Sequence, residues 1–252
     1  KIDILVHGAE FLFLTKNLGS SVSLNNYFPS EVIESLGESS AQWGDVDLDG
    51  DLDIFWTGLT NGRANITNKL LLNNTDFEGN TSWEFDESMV MPDIRNGSVA
   101  WSDIDMDGDL DLLILSKTTT YLFSNDGTGD FSDITSSAGI PSNKVFDNVI
   151  FSDFDNDRDI DFFTLSNRKI GLYSNNRDGT FTNVAKTLNL AGEVVKYFLV
   201  EDFNQDGFMD CAILNEESQL VQLANKNGLN FEEVQSLPNI NANSLISGDI
   251  DN

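Results

Sequence analysis

The sequence has little of what several common functions require. Among its 252 residues there is one cysteine, Cys211, so no disulfide can form within the chain, and Cys211 is expected to be a small buried residue. Only 14 residues are basic against 42 acidic ones, and the net charge of −28 argues against nucleic-acid binding. No apolar run approaches the length of a membrane span, so no membrane insertion is predicted in this segment.

Aspartate at alternate positions is what the chain has in excess. Residues 102–116 read SDIDMDGDLDLLILS, an acidic stretch that runs straight into an apolar one. Four full copies of this pattern begin at Asp45, Asp103, Asp153 and Asp202. Partial copies lie at the two ends of the chain, in GDIDN from Gly248 and in KIDILVHG around Asp3. Recurrence at a period of about 50 residues predicts a repeat architecture.

Each repeat has the pattern of a small antiparallel sheet. A short apolar run, typical of a buried strand, follows each acidic stretch, and further strand segments are separated by turn signals such as NDGTGD from Asn125. Four strands per repeat predict an all-β fold, a β-propeller of four-stranded antiparallel blades. We expect residues 1–252 to form a single propeller with about five blade equivalents. The predicted repeats are 36–92, 93–141, 142–191 and 192–239, with partial repeats at 1–35 and 240–252.

The alternating aspartates are expected to surround a cation, because neighbouring carboxylates repel one another unless a positive charge lies between them. We call residues 45–53, 103–111, 153–161 and 202–210 the first to fourth acidic loops and number each from its first Asp. Positions 1, 3, 5 and 9 carry side-chain oxygens, and Ca²⁺ takes six to eight oxygens. The predicted side-chain ligands are Asp45, Asp47, Asp49, Asp53, Asp103, Asp105, Asp107, Asp111, Asp153, Asp155, Asp157, Asp161, Asp202, Asn204, Asp206 and Asp210.

Position 7 is expected to contribute a backbone carbonyl to each site. The residues concerned are Asp51, Asp109, Asp159 and Phe208. A fifth site would combine Asp249 and Asp251 with Asp3, either because the chain ends meet or because the chain was cut from a longer array, and we favour the cut. About four calcium ions are therefore predicted, and up to five. Mg²⁺ is less suitable because it prefers to keep several waters.

The loops are not EF-hands, because position 12 is not glutamate and a strand follows rather than a helix. Two loops depart from the pattern. Arg158 stands where the other loops have glycine at position 6, and a left-handed backbone there costs a non-glycine residue about 1–2 kcal/mol. That site is expected to be weaker, or its turn to differ. Asn204 removes one charge from the fourth loop, which is expected to lower its affinity.

These motifs resemble the FG-GAP / VCBS repeats of integrin α-subunits and bacterial surface proteins. The resemblance rests on DVDLDGDLD, DIDMDGDLD, DFDNDRDID and DFNQDGFMD, and on YSNNRDGTFTNV from Tyr173. It implies a propeller of usually seven blades, of which this chain would supply about five. It also implies a calcium ion in the loop between the first two strands of a blade, and an extracellular or cell-surface setting.

Three functions remain open at this point. The first is a secreted, calcium-stabilised module that binds a protein or a glycan. The second is the propeller domain of a secreted polysaccharide-acting enzyme, and the third is a structural spacer in a larger surface protein with other domains. We favour a non-enzymatic module, because His7 is the only histidine that a Ser-His-Asp triad could use.

The first full repeat is longer than its neighbours, and its extra residues suggest a place for a partner. Loops that do not recur are where repeat proteins often bind, so Asn61, Arg63 and Trp83 are the candidate partner-binding residues. A passive insertion is the alternative. Trp43, Trp101 and Phe151 instead share one position in their repeats, which favours packing between blades.

Overall fold

The described part of the chain is built of β-strands. The computed structural model describes residues 4–8, 11–15, 37–60, 65–75, 81–86, 91, 94, 98–116, 118–141, 144–190, 192, 194–240, 242 and 244–247. Within these ranges there are eighteen strands and no α-helix. Four antiparallel four-stranded sheets follow one another along the chain. The predicted fold class, an all-β β-propeller of four-stranded antiparallel blades, is confirmed.

Each sheet takes its four strands in chain order. A two-stranded sheet pairs β1 Ile4–Gly8 with β2 Phe11–Thr15. The first four-stranded sheet contains β3 Gly37–Gly44, β4 Asp53–Thr60, β5 Asn65–Thr75 and β6 Thr81–Phe85. The second contains β7 Ser98–Ser102, β8 Asp111–Leu115, β9 Thr120–Asn125 and β10 Phe131–Asp133. The third contains β11 Asn148–Ser152, β12 Asp161–Ser166, β13 Lys169–Asn175 and β14 Phe181–Asn183. The fourth contains β15 Val195–Glu201, β16 Asp210–Asn215, β17 Leu220–Asn225 and β18 Phe231–Leu237.

Every four-stranded sheet lies within one of the four full repeats drawn from the sequence. The second strands are the most deeply buried, and all residues of β8 and β12 are buried. The fourth strands are short or mostly exposed, as in β14 and β18. This gradient explains the continuous apolar runs after the acidic loops, because a strand covered on both faces needs no polar side. That residues 1–252 form one propeller stays a prediction.

The chain divides into two compact units, and each unit has its own hydrophobic core. The first unit comprises Lys1–Trp101 with Gly108–Ile134. Its larger core joins Phe55 and Leu70 of the first sheet to Leu112 and Phe123 of the second. A smaller cluster contains Ile54, Trp56 and Leu71 of the first sheet. The larger core therefore lies between two successive sheets, and neither sheet alone would bury its residues.

The second unit comprises Ser102–Asp107 with Thr135–Asn252. Its core joins Phe163 and Leu172 of the third sheet to Val200 and Ile213 of the fourth. Cys211 belongs to this core and is fully buried, as the sequence predicted. Burial also raises the pKa of its thiol, so the residue is apolar packing rather than a reactive group.

Trp101 shows the packing between blades that its recurring position predicted. Its ring meets the ring of Phe55, in the preceding sheet, edge to face with centroids 6.1 Å apart. A side chain at Gly44 would place its Cβ 3.1 Å from Trp101 Nε1, so the indole lies directly on that backbone. Phe151 instead contacts Phe162 of its own sheet.

An asparagine near the end of each third strand is the feature that ties the sheets to the acidic loops. Asn125 Nδ2 donates to the Val46 carbonyl of the preceding repeat at 2.8 Å and to the Leu110 carbonyl at 3.2 Å. Asn225 Nδ2 likewise donates to the carbonyls of Phe154, at 2.7 Å, and Met209, at 3.2 Å. The first acceptor is always position 2 of the previous acidic loop, and the second is position 8 of the asparagine's own loop.

Asn175 is the third member of this set and gives a direct test of it. Its Nδ2 donates to the carbonyls of Ile104, at 2.6 Å, and Ile160. We expect Asn175→Ala to lower the free energy of unfolding by about 2–3 kcal/mol, because two carbonyls lose a buried donor. Urea denaturation measures the loss. The control is Asn176→Ala, an exposed neighbour whose amide bonds the threonines of the same turn. Equal losses in the two variants would contradict the role of Asn175.

Candidate metal sites in the acidic loops

The four acidic loops occupy equivalent places in the four sheets. Each connects the first strand of its sheet to the second, and position 9 is the first residue of the second strand. The position 1 carboxylate accepts a hydrogen bond from the position 6 N–H in three of the loops. The donors are Gly50 at 3.2 Å, Arg158 at 3.0 Å and Gly207 at 2.8 Å. The loop backbone therefore folds around its first aspartate.

Left-handed residues produce the tight turn in every loop. At position 6 the φ angles are 92° for Gly50, 99° for Gly108, 78° for Arg158 and 91° for Gly207. The turn of the third loop therefore does not differ, and Arg158 adopts the strained conformation that glycine takes elsewhere. Position 4 is left-handed as well, with φ near 60° at Leu48, Met106, Asn156 and Gln205. Nothing in the sequence predicts this second left-handed position, because leucine and methionine rarely adopt it.

Position 9 holds a carboxylate that is at most 1% exposed in every loop. The side chain of Asp53 is inaccessible, and Asp161 is 1% exposed. Asp53 Oδ2 accepts the Val46 N–H at 2.9 Å, and its Oδ1 accepts the Asn73 N–H at 2.8 Å. Asp161 accepts the equivalent Phe154 and Asn175 N–H groups at 3.1 and 2.8 Å. This carboxylate therefore fixes the start of the loop and the end of the third strand at once.

Three of the loops gather three carboxylates around one point. One oxygen from each aspartate lies within 4.8 Å of the others. The groups are Asp45, Asp47 and Asp53; Asp103, Asp105 and Asp111; and Asp153, Asp155 and Asp161. Oxygens that share one Ca²⁺ at about 2.4 Å lie at most about 4.8 Å apart, so the spacing suits such an ion. The described residues include no such group in the fourth loop, where Asn204 replaces the position 3 aspartate.

Buried carboxylate oxygens without a hydrogen-bond donor support the same fit. Asp45 Oδ1 and Asp155 Oδ1 are inaccessible and have no hydrogen-bond partner among the described residues. A buried anionic oxygen without a partner is costly, whereas a cation would satisfy it. The donor set is all oxygen, which favours a hard cation such as Ca²⁺ over a transition metal. The acidic loops are therefore able to hold a metal ion.

Burial raises the pKa of the inner aspartates. It raises the pKa of Asp53 to about 6 and that of Asp161 to about 8, although backbone N–H bonds to both carboxylates oppose the shift. The pKa of Asp155 also rises to about 6, first through burial and then through repulsion from Asp157 and Asp153. A bound dication would reverse this effect by favouring the charged form.

The side chains at position 7 tie the loop to the hairpin that follows the third strand. Asp51 Oδ2 accepts the Thr75 N–H at 2.8 Å. Asp159, which is 1% exposed, pairs with Arg177 Nε at 2.7 Å. The Cβ of any side chain at Gly127 would fall 2.5 Å from Asp109 Oδ2, so this hairpin also approaches its loop closely. The predicted role of the position 7 carbonyls in metal binding stays a prediction.

Several candidate residues stand apart from these loops. Asp3, Asp249, Asp251, Asn61 and Arg63 lie outside the described residues. Trp83 lies on β6, partly buried against the cluster of Ile54, Trp56 and Leu71. This packing gives Trp83 a structural role, and its role toward a partner stays a prediction.

Two kinds of residue with structural roles were not predicted from the sequence. The asparagines Asn73, Asn125, Asn175 and Asn225 recur at one place in the repeat, near the end of the third strand. Their recurrence was visible, but their link to the preceding repeat was not. Arg177 was missed because nothing in the sequence connects it to aspartates 18 and 20 residues earlier.

Comparison with known proteins places these loops in a family. The model of the FG-GAP-like repeat matches residues 45–114, 103–163 and 153–210. No curated protein matches the chain. Similar solved structures include an Agrocybe aegerita lectin described as recognising non-reducing terminal N-acetylglucosamine, with 16% identity and a TM-score of 0.45, covering 94% of this chain and 77% of that one. Another is the Photorhabdus luminescens Tc holotoxin pore, with 18% identity and a TM-score of 0.43, of which the chain spans only 11%.

The raised pKa of Asp161 predicts how the metal-free protein responds to pH. In the unfolded chain this carboxyl loses its proton near pH 4, whereas in the folded chain it keeps the proton to about pH 8. Between these values the folded state holds more protons, so the free energy of unfolding falls as pH rises. We expect urea denaturation in EGTA to show this fall between pH 5 and 8.

The matched variants for this experiment are Asp161→Asn and Asp147→Asn. Asp161→Asn should flatten the slope, whatever its effect on absolute stability, because it removes the titrating group. Asp147 is exposed, and its variant makes the same substitution without affecting a buried carboxyl. A slope that Asp161→Asn leaves unchanged would show that the fall has another origin.

Proposed function

The chain belongs to the family of FG-GAP-like repeats, and on this basis we propose that it is an extracellular β-propeller module, stabilised by Ca²⁺, that binds a protein or a glycan. The three matches together span residues 45–210, which include all four acidic loops and most of the chain. The proposal has three parts: calcium in the loops, an extracellular setting, and a ligand on the module.

The carboxylate groups of the acidic loops carry the first part. Asp45, Asp47 and Asp53 bring oxygens within 4.8 Å of one another, and Asp45 Oδ1 is buried without a donor. Like charges at this distance destabilise a fold unless a cation lies among them. The position 1, 3, 5 and 9 side chains would hold the ion, which when bound would neutralise the loop and fix its turn.

The chemistry of such sites supports the extracellular part of the proposal. Loops with several carboxylates and a flexible backbone bind Ca²⁺ over a wide range of affinities, and extracellular modules use dissociation constants of about 10⁻⁴–10⁻³ M. Calcium outside cells is abundant enough to fill such sites. None of the described residues forms a helix long and apolar enough to span a membrane.

A binding role is favoured over catalysis by the chemistry of the described residues. The buried carboxylates of the acidic loops are bonded to backbone N–H groups and packed within the repeat, an arrangement that braces structure. The net charge of −28 opposes nucleic acid as the partner. A protein or a glycan remains, and the longer first repeat, with Asn61 and Arg63, is the proposed contact region.

Calcium titration tests the metal sites. After removal of metal with EGTA, we expect isothermal titration calorimetry to show about four Ca²⁺ ions per chain and the thermal midpoint to rise by many degrees. Asp47→Ala should lose one ion, because it removes the position 3 ligand oxygen of the first loop. Glu84→Gln, on an exposed residue of the same sheet, should keep all of them. No bound ion in the wild-type chain would overturn the proposed calcium role.

Ligand screening tests the binding role. The calcium-loaded chain should bind at least one member of a panel of glycans and surface proteins, and EGTA should weaken the interaction. Asn61→Ala with Arg63→Ala should reduce the binding at least fivefold without lowering the thermal midpoint. The matched control is Arg168→Ala, an exposed residue of the third sheet. Binding that survives the double variant unchanged would place the contact elsewhere on the module.

A further inference from the structure

The third acidic loop contains a cation supplied by the protein itself. Arg177, which follows β13, extends its guanidinium to the two neighbouring carboxylates of this loop. Its Nε lies 2.7 Å from Asp159 Oδ2, and its Nη2 lies 3.1 Å from Asp157 Oδ2. Nη2 also donates to the Asp157 carbonyl. One arginine therefore bonds three oxygens of one acidic loop.

In the other described repeats, no charged residue stands at the position equivalent to Arg177. Arg177 stands two residues after Asn175, and the equivalent positions are Thr75, Gly127 and Asn227. In the first repeat the neutral Thr75 N–H donates to Asp51. The third loop alone therefore gains a full positive charge at this point.

The guanidinium also engages a candidate ligand. Asp157 is position 5 of the loop, and its Oδ2 and carbonyl both face Arg177, while its Oδ1 accepts the Asp159 N–H at 3.2 Å. In the first loop, position 5 is Asp49, whose Oδ1 accepts the Asp51 N–H at 2.8 Å. The third loop must break an arginine pair to use Asp157 fully as a metal ligand.

We propose that Arg177 is a tethered cation that holds the third acidic loop closed without metal and lowers the affinity of this loop for Ca²⁺. The inference rests on the proposed calcium binding. It also gives a reason for a weak third site that differs from the one expected from Arg158, whose backbone adopts the same turn as glycine. The charge that weakens this site comes from the hairpin of the sheet, and not from the loop.

We expect the loops to differ in how far their structure depends on calcium. Among the described residues the first loop has no such cation, and it depends on Ca²⁺ to offset its carboxylates. The third loop keeps its shape when calcium is scarce, because Asp159, a buried carboxylate, is already paired. Removal of Arg177 should convert the third loop into a loop of the first kind.

Calorimetric titration of the full chain with Ca²⁺ alone tests this, after EGTA treatment. Arg177→Gln should bind one ion about tenfold or more tighter than the wild type, or bind one additional ion, because a competing charge is gone. Its thermal midpoint in EGTA should fall, and its gain on adding Ca²⁺ should exceed that of the wild type. Arg168→Gln is the matched control, since Arg168 forms an exposed ion pair with Glu216 of the same unit at 3.0 Å.

A double variant locates the gained affinity. Arg177→Gln with Asp155→Asn should lose the gain, because Asp155 belongs to the carboxylate group of the third loop. If Arg177→Gln does not fold in EGTA, Arg177→Lys keeps the charge without the two-pronged geometry and should show a smaller gain. Folding is checked by circular dichroism.

The outcomes separate this inference from the proposed function. Calcium binding by the wild type with no difference between Arg177→Gln and Arg168→Gln would overturn the role of Arg177 and leave the calcium module intact. A gain that persists in the double variant would overturn it too. No binding by the wild type, with binding gained by Arg177→Gln, would support Arg177 and overturn the proposed calcium stabilisation. No binding by either chain would overturn both.

Discussion

The carboxylate at the first residue of each second strand is the group on which the rest of the repeat depends. In the first and third sheets Asp53 and Asp161 each accept one N–H from the start of the acidic loop and one from the asparagine that ends the third strand. The loop, the second strand and the third strand therefore converge on one buried anion. Because burial opposes its ionisation, the same group that organises the fold also creates a demand for positive charge.

The loops differ in the positive charge that is available to their carboxylates. The described groups of three aspartates have the spacing that one hard cation needs, whereas the third loop also has the guanidinium of Arg177. Strain accompanies the charge, since Leu48 and Met106 hold left-handed backbone that their side chains disfavour. Such strain persists only because the surrounding hydrogen bonds over-determine the turn. The acidic loops therefore combine backbone strain with charge repulsion. The sheets around them compensate for both unfavourable energies.

The sequence was sufficient for the fold class and for the position of the loops, because both follow from strictly repeated local patterns. The aspartate spacing marked the loops, and apolar runs such as Leu112–Leu115 marked the buried strands. It was insufficient where one repeat meets another. Asn125 had the pattern of a turn residue, yet its side chain bonds a carbonyl 79 residues away. Arg177 had the pattern of a hairpin residue, and its partners depend on how the hairpin folds over the loop, which no local spacing encodes.

The asparagine bonds also make an acidic loop depend on the repeat that follows it. Asn225 reaches back 71 residues to the Phe154 carbonyl, and the turn after it presses Gly228 against Asp155. The loop of one repeat therefore gains this backbone partner only from the third strand of the next sheet. The loop of one repeat is therefore complete only when the next repeat along the chain is folded against it. Stability in this chain is thus shared between neighbouring repeats, so a variant in one asparagine acts on the loop of the repeat before it.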